Sequence, residues 1–198
     1  MSHDPSQPVR PEKEQLNTLL ARAMRLLSQR DHSEAELRRK LETPPVIAPR
    51  RSAPFSRHAS RRAGDAAETS PAPAPVPHQA EAIDPLLVEK VIAYCLEHHY
   101  LDDRRFTQSY INSRSRKGYG PQRIRSELMQ KGVAKDLINT AFEETDVDWC
   151  RQARELAERK FGEQLPTEWK EKAKVQRFLQ YRGFFQEEIQ SIYRDFDE

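Results

Sequence analysis

The sequence predicts an all-α fold, an elongated array of three tandem three-helix repeats, and three observations predict it. Outside one segment, every apolar pattern recurs at helical spacings of three and four. Of the 14 prolines in 198 residues, eight lie between Thr43 and Glu81 and three within Met1 to Pro11, leaving only Pro85, Pro121 and Pro166 elsewhere. A pattern of apolar residues and glycine also repeats at a fixed interval.

The elements follow in order. Residues 1–11 carry no apolar pattern and read as a disordered N-terminus. Leu16, Leu19, Leu20, Ala23, Leu26 and Leu27 make the stripe of a first core-facing helix. A turn at Arg30 to His32 leads to Ser33-Glu34-Ala35-Glu36, the spacing of a capping box in which Ser33 and Glu36 satisfy exposed amides, and Leu37 and Leu41 form the second stripe. Segment 43–81 has only Val46, Ile47, Phe55 and Val76 as sizeable apolar groups, too few to offset its ordering entropy, and reads as a disordered insertion. Its arginines, Arg50, Arg51, Arg57, Arg61 and Arg62, read as those of a solvated linker.

Asp84-Pro85 reads as the cap and first turn of a third helix with Val88, Val91, Ile92 and Cys95 facing inward. Asp102 caps a fourth, bearing Phe106, Tyr110 and Ile111 and stopping at Gly118. Gly120-Pro121 opens a fifth, with Ile124 and Leu128, that ends at Gly132. Leu137, Ile138, Ala141 and Phe142 make the sixth, and Trp149, Ala153, Leu156 and Ala157 the seventh, closed near Gly162. Thr167 starts the eighth, with Val175, Phe178 and Leu179 before Gly183. Ile189, Ile192, Tyr193 and Phe196 complete the ninth.

Ile124, Leu128, Gly132 and Ile138 recur as Val175, Leu179, Gly183 and Ile189 at a constant offset of 51 residues. Leu37 and Leu41 repeat the first pair. We therefore expect repeats at 12–101, 102–145 and 146–198, each too small to stand alone. With helices about 10 Å across, the row would extend on the order of 60 Å.

Composition narrows the function. The formal net charge is +2, with 36% apolar and 32% charged residues, so any polyanion must meet a local patch rather than bulk charge. The densest asymmetry lies between Arg114 and Lys131, where Arg114, Arg116, Lys117, Arg123, Arg125 and Lys131 stand against the single acid Glu127. Tyr119 sits in the turn between two glycines. These residues suit phosphate or carboxylate contacts and are the candidate partner and DNA-binding site. Asp136, Glu143, Glu144, Asp146 and Asp148 follow as an acidic stretch, so the surface is bipolar.

Other signals carry less. Gly118-Tyr119-Gly120 follows a helix and lacks the lysine and hydroxyl residue of a phosphate loop. Cys95, His98 and His99 read as a buried thiol beside surface histidines, and capping accounts for Asp102 beside Asp103. Trp149, Trp169, Phe178, Phe184, Phe185 and Phe196 read as core and inter-repeat packing. No catalytic set of nucleophile, base and orienting group assembles, so we expect no enzyme, no cofactor and no metal. Two cysteines, no hydrophobic leader and no long apolar run predict a reduced, cytoplasmic protein without a membrane span.

Tyr100-Leu101-Asp102-Asp103-Arg104-Arg105-Phe106, then Ser113-Arg114-Ser115-Arg116-Lys117-Gly118-Tyr119-Gly120 and Lys131-Gly132-Val133, resemble the bacterial RecX family of regulatory proteins. The resemblance extends from about Leu16 to Phe196. It departs at His99, where the family usually has glycine, and in the length of the 43–81 insertion. The resemblance implies tandem three-helix repeats and no catalytic activity. It implies binding to the RecA recombinase filament on single-stranded DNA and a capacity for weak direct DNA contact; we expect a monomer. The consequence would be inhibition of RecA's ATPase, strand exchange and coprotease activities, and so control of DNA repair and the SOS response. The alternative is a stand-alone DNA-binding protein that uses the helix from Gly120 to Lys131 for recognition.

Overall fold

The computed structural model describes residues 12–44 and 83–194, and among these all regular structure is helical. The readings made for residues 1–11, for 45–81 of the insertion and for Phe196 lie outside the described residues. The helices are α1 (Glu12–Gln29), α2 (Glu34–Glu42), α3 (Pro85–Glu97), α4 (Asp103–Arg116), α5 (Pro121–Gln130), α6 (Lys135–Glu143), α7 (Trp149–Phe161), α8 (Trp169–Arg182) and α9 (Gln186–Ser191).

Local chemistry sets most boundaries. Asp84 accepts the Leu86 N–H and Asp102 accepts those of Arg104 and Arg105, so both act as N-caps. Gly118, Gly132 and Gly183 take positive φ of 74°, 77° and 90° where α4, α5 and α8 stop, conformations in which a β-carbon crowds the backbone. His99 also has positive φ, 56°, alone among the described non-glycine residues. The departure from the family's usual glycine therefore falls at a backbone position that glycine suits.

The substantial helix packing falls within three consecutive triplets, α1–α3, α4–α6 and α7–α9. Each encloses its own apolar cluster. Leu19, Ala23, Leu37, Leu41, Val88, Val91, Ile92 and Cys95 fill the first. Phe106, Ile111, Ile124, Leu128 and Ile138 fill the second. Ala153, Val175, Leu179, Phe184, Ile189 and Ile192 fill the third. All six apolar members of the 51-residue recurrence are buried, each Leu or Ile contributing about 1.5–3 kcal/mol of transfer free energy. Trp149 packs against both the second and third clusters.

Neighbouring triplets meet end to end through their middle helices. Ser33, the N-cap of α2, donates its hydroxyl to the Lys131 carbonyl at 2.6 Å, just past the end of α5. Gly120, the N-cap of α5, donates its N–H to the Arg182 carbonyl at 2.9 Å, at the end of α8. Lys131 and Arg182 are 51 residues apart, so the same joint is made twice. Gln122 N–H adds a 3.0 Å bond to the Gly183 carbonyl.

Five expectations are corrected. α8 begins at Trp169 after Glu168, not at Thr167, and Trp169 is 79% exposed rather than core. Phe185 is likewise 40% exposed, because it precedes α9 and leaves the apolar position to Phe184. α9 stops at Ser191, and Ile192 and Tyr193 follow in a turn. Ser33 caps the Glu36 N–H at 3.2 Å, but the Glu36 carboxylate turns to Arg30 and Lys131 instead of completing the box.

Candidate functional site

The basic segment spans the end of α4, the Gly118–Gly120 turn and all of α5. Because α5 is the helix that joins the second triplet to both neighbours, its side chains mix with theirs. The result is a ladder of cations and rings rather than a row of free charges.

Glu127 is its centre. Its carboxylate accepts from the Tyr110 hydroxyl at 2.7 Å and pairs with Arg114 Nε and Arg123 Nε, each at 3.0 Å. Arg114 also donates to the Tyr110 oxygen at 2.9 Å. Burial pushes the Glu127 carboxyl up, but the Tyr110 and Arg123 bonds and the arginine charges outweigh it and hold it below the usual range. The single acid of the segment thus pairs with two of its bases and offsets one of their two charges.

Tyr119 takes the next position. Arg123, Arg114 and Arg182 stand over its ring at 4.4, 5.5 and 5.6 Å from the centroid. Arg182 also reaches Phe178 at 5.4 Å, and Lys160 lies over Phe178 at 3.8 Å. On the opposite side Lys131 stands 5.5 Å from the Tyr110 ring and 3.5 Å from Glu36, which Arg30 also engages. Linked contacts therefore run from Arg30 in the first triplet to Lys160 in the third.

The remaining candidates divide. Arg125 donates to Asn139 Oδ1 at 2.6 Å and covers the Phe142 ring at 4.1 Å. Arg116 and Lys117 are exposed, and among the described residues neither side chain has an ion-pair partner. Of the acidic stretch, Glu144 pairs with Arg104 at 2.7 Å and Asp148 caps α7 through the Arg151 N–H.

Sequence reasoning named the seven residues Arg114, Arg116, Lys117, Tyr119, Arg123, Arg125 and Lys131 but missed Arg30, Glu36, Tyr110, Lys160, Phe178 and Arg182. The 51-residue offset could have found Arg182, which takes the place of Lys131. Glu36 lay hidden because its spacing from Ser33 was absorbed by the capping pattern.

Of the signals discounted above, the Tyr119 turn and Phe178 belong to the ladder, whereas Asp103 and the cysteines make none of its contacts. Asp103 accepts the Glu34 N–H at 2.7 Å across the first joint, and burial raises its carboxyl above the ordinary value. Cys95 is buried and Cys150, at the start of α7, exposed; both are free thiols. Among the described residues, no three His, Cys, Asp or Glu side chains are placed to hold a metal ion, and no helix is long and apolar enough to cross a membrane.

Fold and surface together define a tandem helical-repeat protein with a cation–aromatic ladder across its joints. Two family models match, the second three-helix domain of RecX over residues 102–141 and the third over 146–192. The chain is 62% identical over 181 residues to Regulatory protein RecX of Serratia proteamaculans, covering 91% of this chain and 99% of that one. It is 60% identical over 183 residues to Regulatory protein RecX of Yersinia enterocolitica, covering 92% and 100%. The chain belongs to the RecX family of regulatory proteins.

Solved structures agree at the level of fold. The crystal structure of RecX from Lactobacillus salivarius matches with a TM-score of 0.65 at 16% identity, covering 93% of this chain and 98% of that one. A second, titled regulatory protein RecX, matches with a TM-score of 0.60 at 20% identity, covering 91% and 72%.

Proposed function

We propose that this chain regulates the RecA recombinase by binding its filament on single-stranded DNA and inhibiting ATP hydrolysis, strand exchange and coprotease activity. The observation that carries this reading is 60–62% identity with RecX regulators over 91–92% of the chain, combined with exposed Arg116 and Lys117, which have no ion-pair partner among the described residues. The repeats at 12–101, 102–145 and 146–198 act as a jointed row that spans successive filament subunits. Its ladder residues Arg114, Tyr119, Arg123 and Lys131, with Arg125 held by Asn139 and Phe142, keep the row's face in shape, and Arg116 and Lys117 meet anionic groups on the assembly. Control of DNA repair and the SOS response follows from this inhibition.

The stand-alone DNA reading draws less support. The α5 N-terminus abuts Gly183, and its Arg123 and Arg125 are engaged by Glu127 and Asn139, so the helix is not presented to a groove. The test is RecA ATPase on single-stranded DNA with the purified chain and with an Arg116→Glu/Lys117→Glu variant. We expect inhibition by the first and at least tenfold weaker inhibition by the second at unchanged helicity. Full inhibition by the variant would reject the assignment.

A further inference from the structure

Aromatic rings in this chain commonly carry a cation of its own. Tyr110, Tyr119, Phe142, Phe161, Phe178 and Tyr193 each have a lysine or arginine within 5.5 Å of the ring centroid. The rings at the end of α3 differ. Tyr94, His98 and Tyr100 are exposed and form a row, with centroids 4.1 Å apart between Tyr94 and His98 and 6.0 Å between His98 and Tyr100. Among the described residues, no lysine or arginine stands over Tyr94 or Tyr100. We propose that this row docks an arginine side chain displayed by a partner protein, an inference that goes beyond the RecA reading and does not depend on it.

The row is shaped before any partner arrives. His99, at φ 56°, turns the chain back so that the N–H groups of Tyr100 and Leu101 both donate to the Cys95 carbonyl, at 2.9 and 3.1 Å. Leu101 is buried in the first core, which leaves Tyr100 outside, its ring plane 13° from that of His98. His98 Nδ1 donates to the Tyr94 carbonyl at 3.0 Å. Rings fixed in this way lose little freedom when a ligand settles on them.

Charge selects the occupant. Glu97 follows Tyr94 by three positions on the same side of α3, exposed and without an ion pair among the described residues. The neighbouring cations are engaged elsewhere. Lys90, one turn before Tyr94, pairs with Glu12 at 2.6 Å. Arg105 donates to the His99 and Tyr100 carbonyls, each at 3.3 Å, and lies 3.8 Å from Asp31. What remains is two phenol rings, whose faces attract positive charge, beside a carboxylate that nothing offsets.

The ladder shows the completed form of the same set. There Arg114 stands 5.0 Å from the Tyr110 ring and 3.0 Å from the Glu127 carboxylate. At the end of α3 the tyrosine and the glutamate are present and the arginine is missing. A guanidinium serves both, because its flat face stacks on a ring while its N–H fork reaches a carboxylate. Lysine brings the charge without the plane, and an apolar side chain leaves Glu97 unanswered.

NMR of the full chain at low salt, titrated with the capped peptide Gly-Arg-Gly, tests the proposal through the ring resonances of Tyr94 and Tyr100. We expect saturable movement of both. The citrulline counterpart, which keeps the planar group and loses the charge, should bind at least fivefold more weakly, and Gly-Lys-Gly at least twofold more weakly. Glu97→Gln should weaken Gly-Arg-Gly binding at least threefold. Tyr94→Leu, which keeps apolar bulk and removes the ring face, should do the same when read on Tyr100. Both positions are exposed, so the unfolding midpoint should stay at the parent's value.

No movement of the two rings in the parent chain overturns the proposal. Equal binding of the citrulline peptide makes the row a site for any planar or apolar group and overturns it too. So does unchanged Gly-Arg-Gly binding in either Glu97→Gln or Tyr94→Leu, or movement confined to the acidic residues Asp146, Asp148 and Glu155.

Discussion

A β-carbon placed on Gly183 would lie 2.3 Å from the β-carbon of Arg123, closer than packed atoms approach. The second and third triplets thus meet through backbone, and both sides of the contact need glycine. Gly120, whose φ is an ordinary −81°, would carry a β-carbon 2.4 Å from the Gly183 carbonyl.

Gly183→Ala should therefore lower unfolding free energy by about 2–4 kcal/mol, from left-handed backbone strain and overpacking combined. Gly120→Ala has no backbone strain and isolates the joint, with an expected loss of about 1–3 kcal/mol. Urea unfolding followed by far-UV circular dichroism measures both. Midpoints equal to the parent's would disprove close backbone packing at the joint.

The first joint is expected to weaken in acid. Burial pushes the Glu36 carboxyl up, but the Arg30 bond and the charges of Lys131 and Arg30 prevail and hold it at about 2. A carboxyl lower in the folded than in the unfolded chain contributes stability above its ordinary value of 4.5, and that stability is lost as pH falls from 4.5 towards 2. For a side chain only 6% exposed, the loss is on the order of 2 kcal/mol. Glu36→Gln should flatten this part of the stability–pH curve, and a curve with the parent's slope would contradict the network.

His32 adds a second phase. Its Nδ1 donates to the Arg30 carbonyl at 2.9 Å, and its Nε2 accepts from Lys40 at 2.9 Å, since an ammonium can only donate. Burial, then the Arg30 and Lys40 charges, push this imidazole below its ordinary 6.5 despite the carbonyl bond and nearby Glu36. The unfolded chain binds the proton first, so stability contributed above pH 6.5 declines as pH falls below it. His32→Gln should remove that decline while retaining the Glu36 phase, and NMR titration of the ring should give a midpoint below 6.5.

Releasing the centre of the ladder should strengthen non-specific attraction. Glu127→Gln leaves Arg114 and Arg123 without their carboxylate, raising local positive charge by one. We expect a stability loss of about 1–2 kcal/mol and oligonucleotide binding tighter by roughly threefold at low salt. Anisotropy titrations at 50 and 200 mM salt decide the matter. Weaker DNA binding with intact helicity would show that Glu127 does not mask these arginines.

His99 offers a stabilising change. Its φ of 56° costs an L-residue energy that glycine does not incur, partly balanced by glycine's greater unfolded freedom. His99→Gly should raise stability by about 0.5 kcal/mol. A fall in midpoint would mean that the exposed ring has a role the backbone does not reveal.

Much of the fold was legible because it is local. The leucine stripe of α1, the Asp84 and Asp102 caps and the glycines after α4, α5 and α8 each report on neighbours within one or two turns. The expected burial of Trp169 followed its aromatic character, whereas the residue stands exposed at the first position of α8. The basic segment was legible as composition, yet not as a site.

The sequence by itself determined the helices, their stops and the recurrence of the middle-helix pattern, since these follow from side-chain period and backbone sterics. Only the tertiary structure decided which cations are spent and which are free. Glu36 meets Lys131 across 95 positions of chain, and Arg182 reaches the ring of Tyr119 across the second joint. Coulombic and ring contacts depend on distance in space, and two end-on joints bring together charges that no local spacing relates.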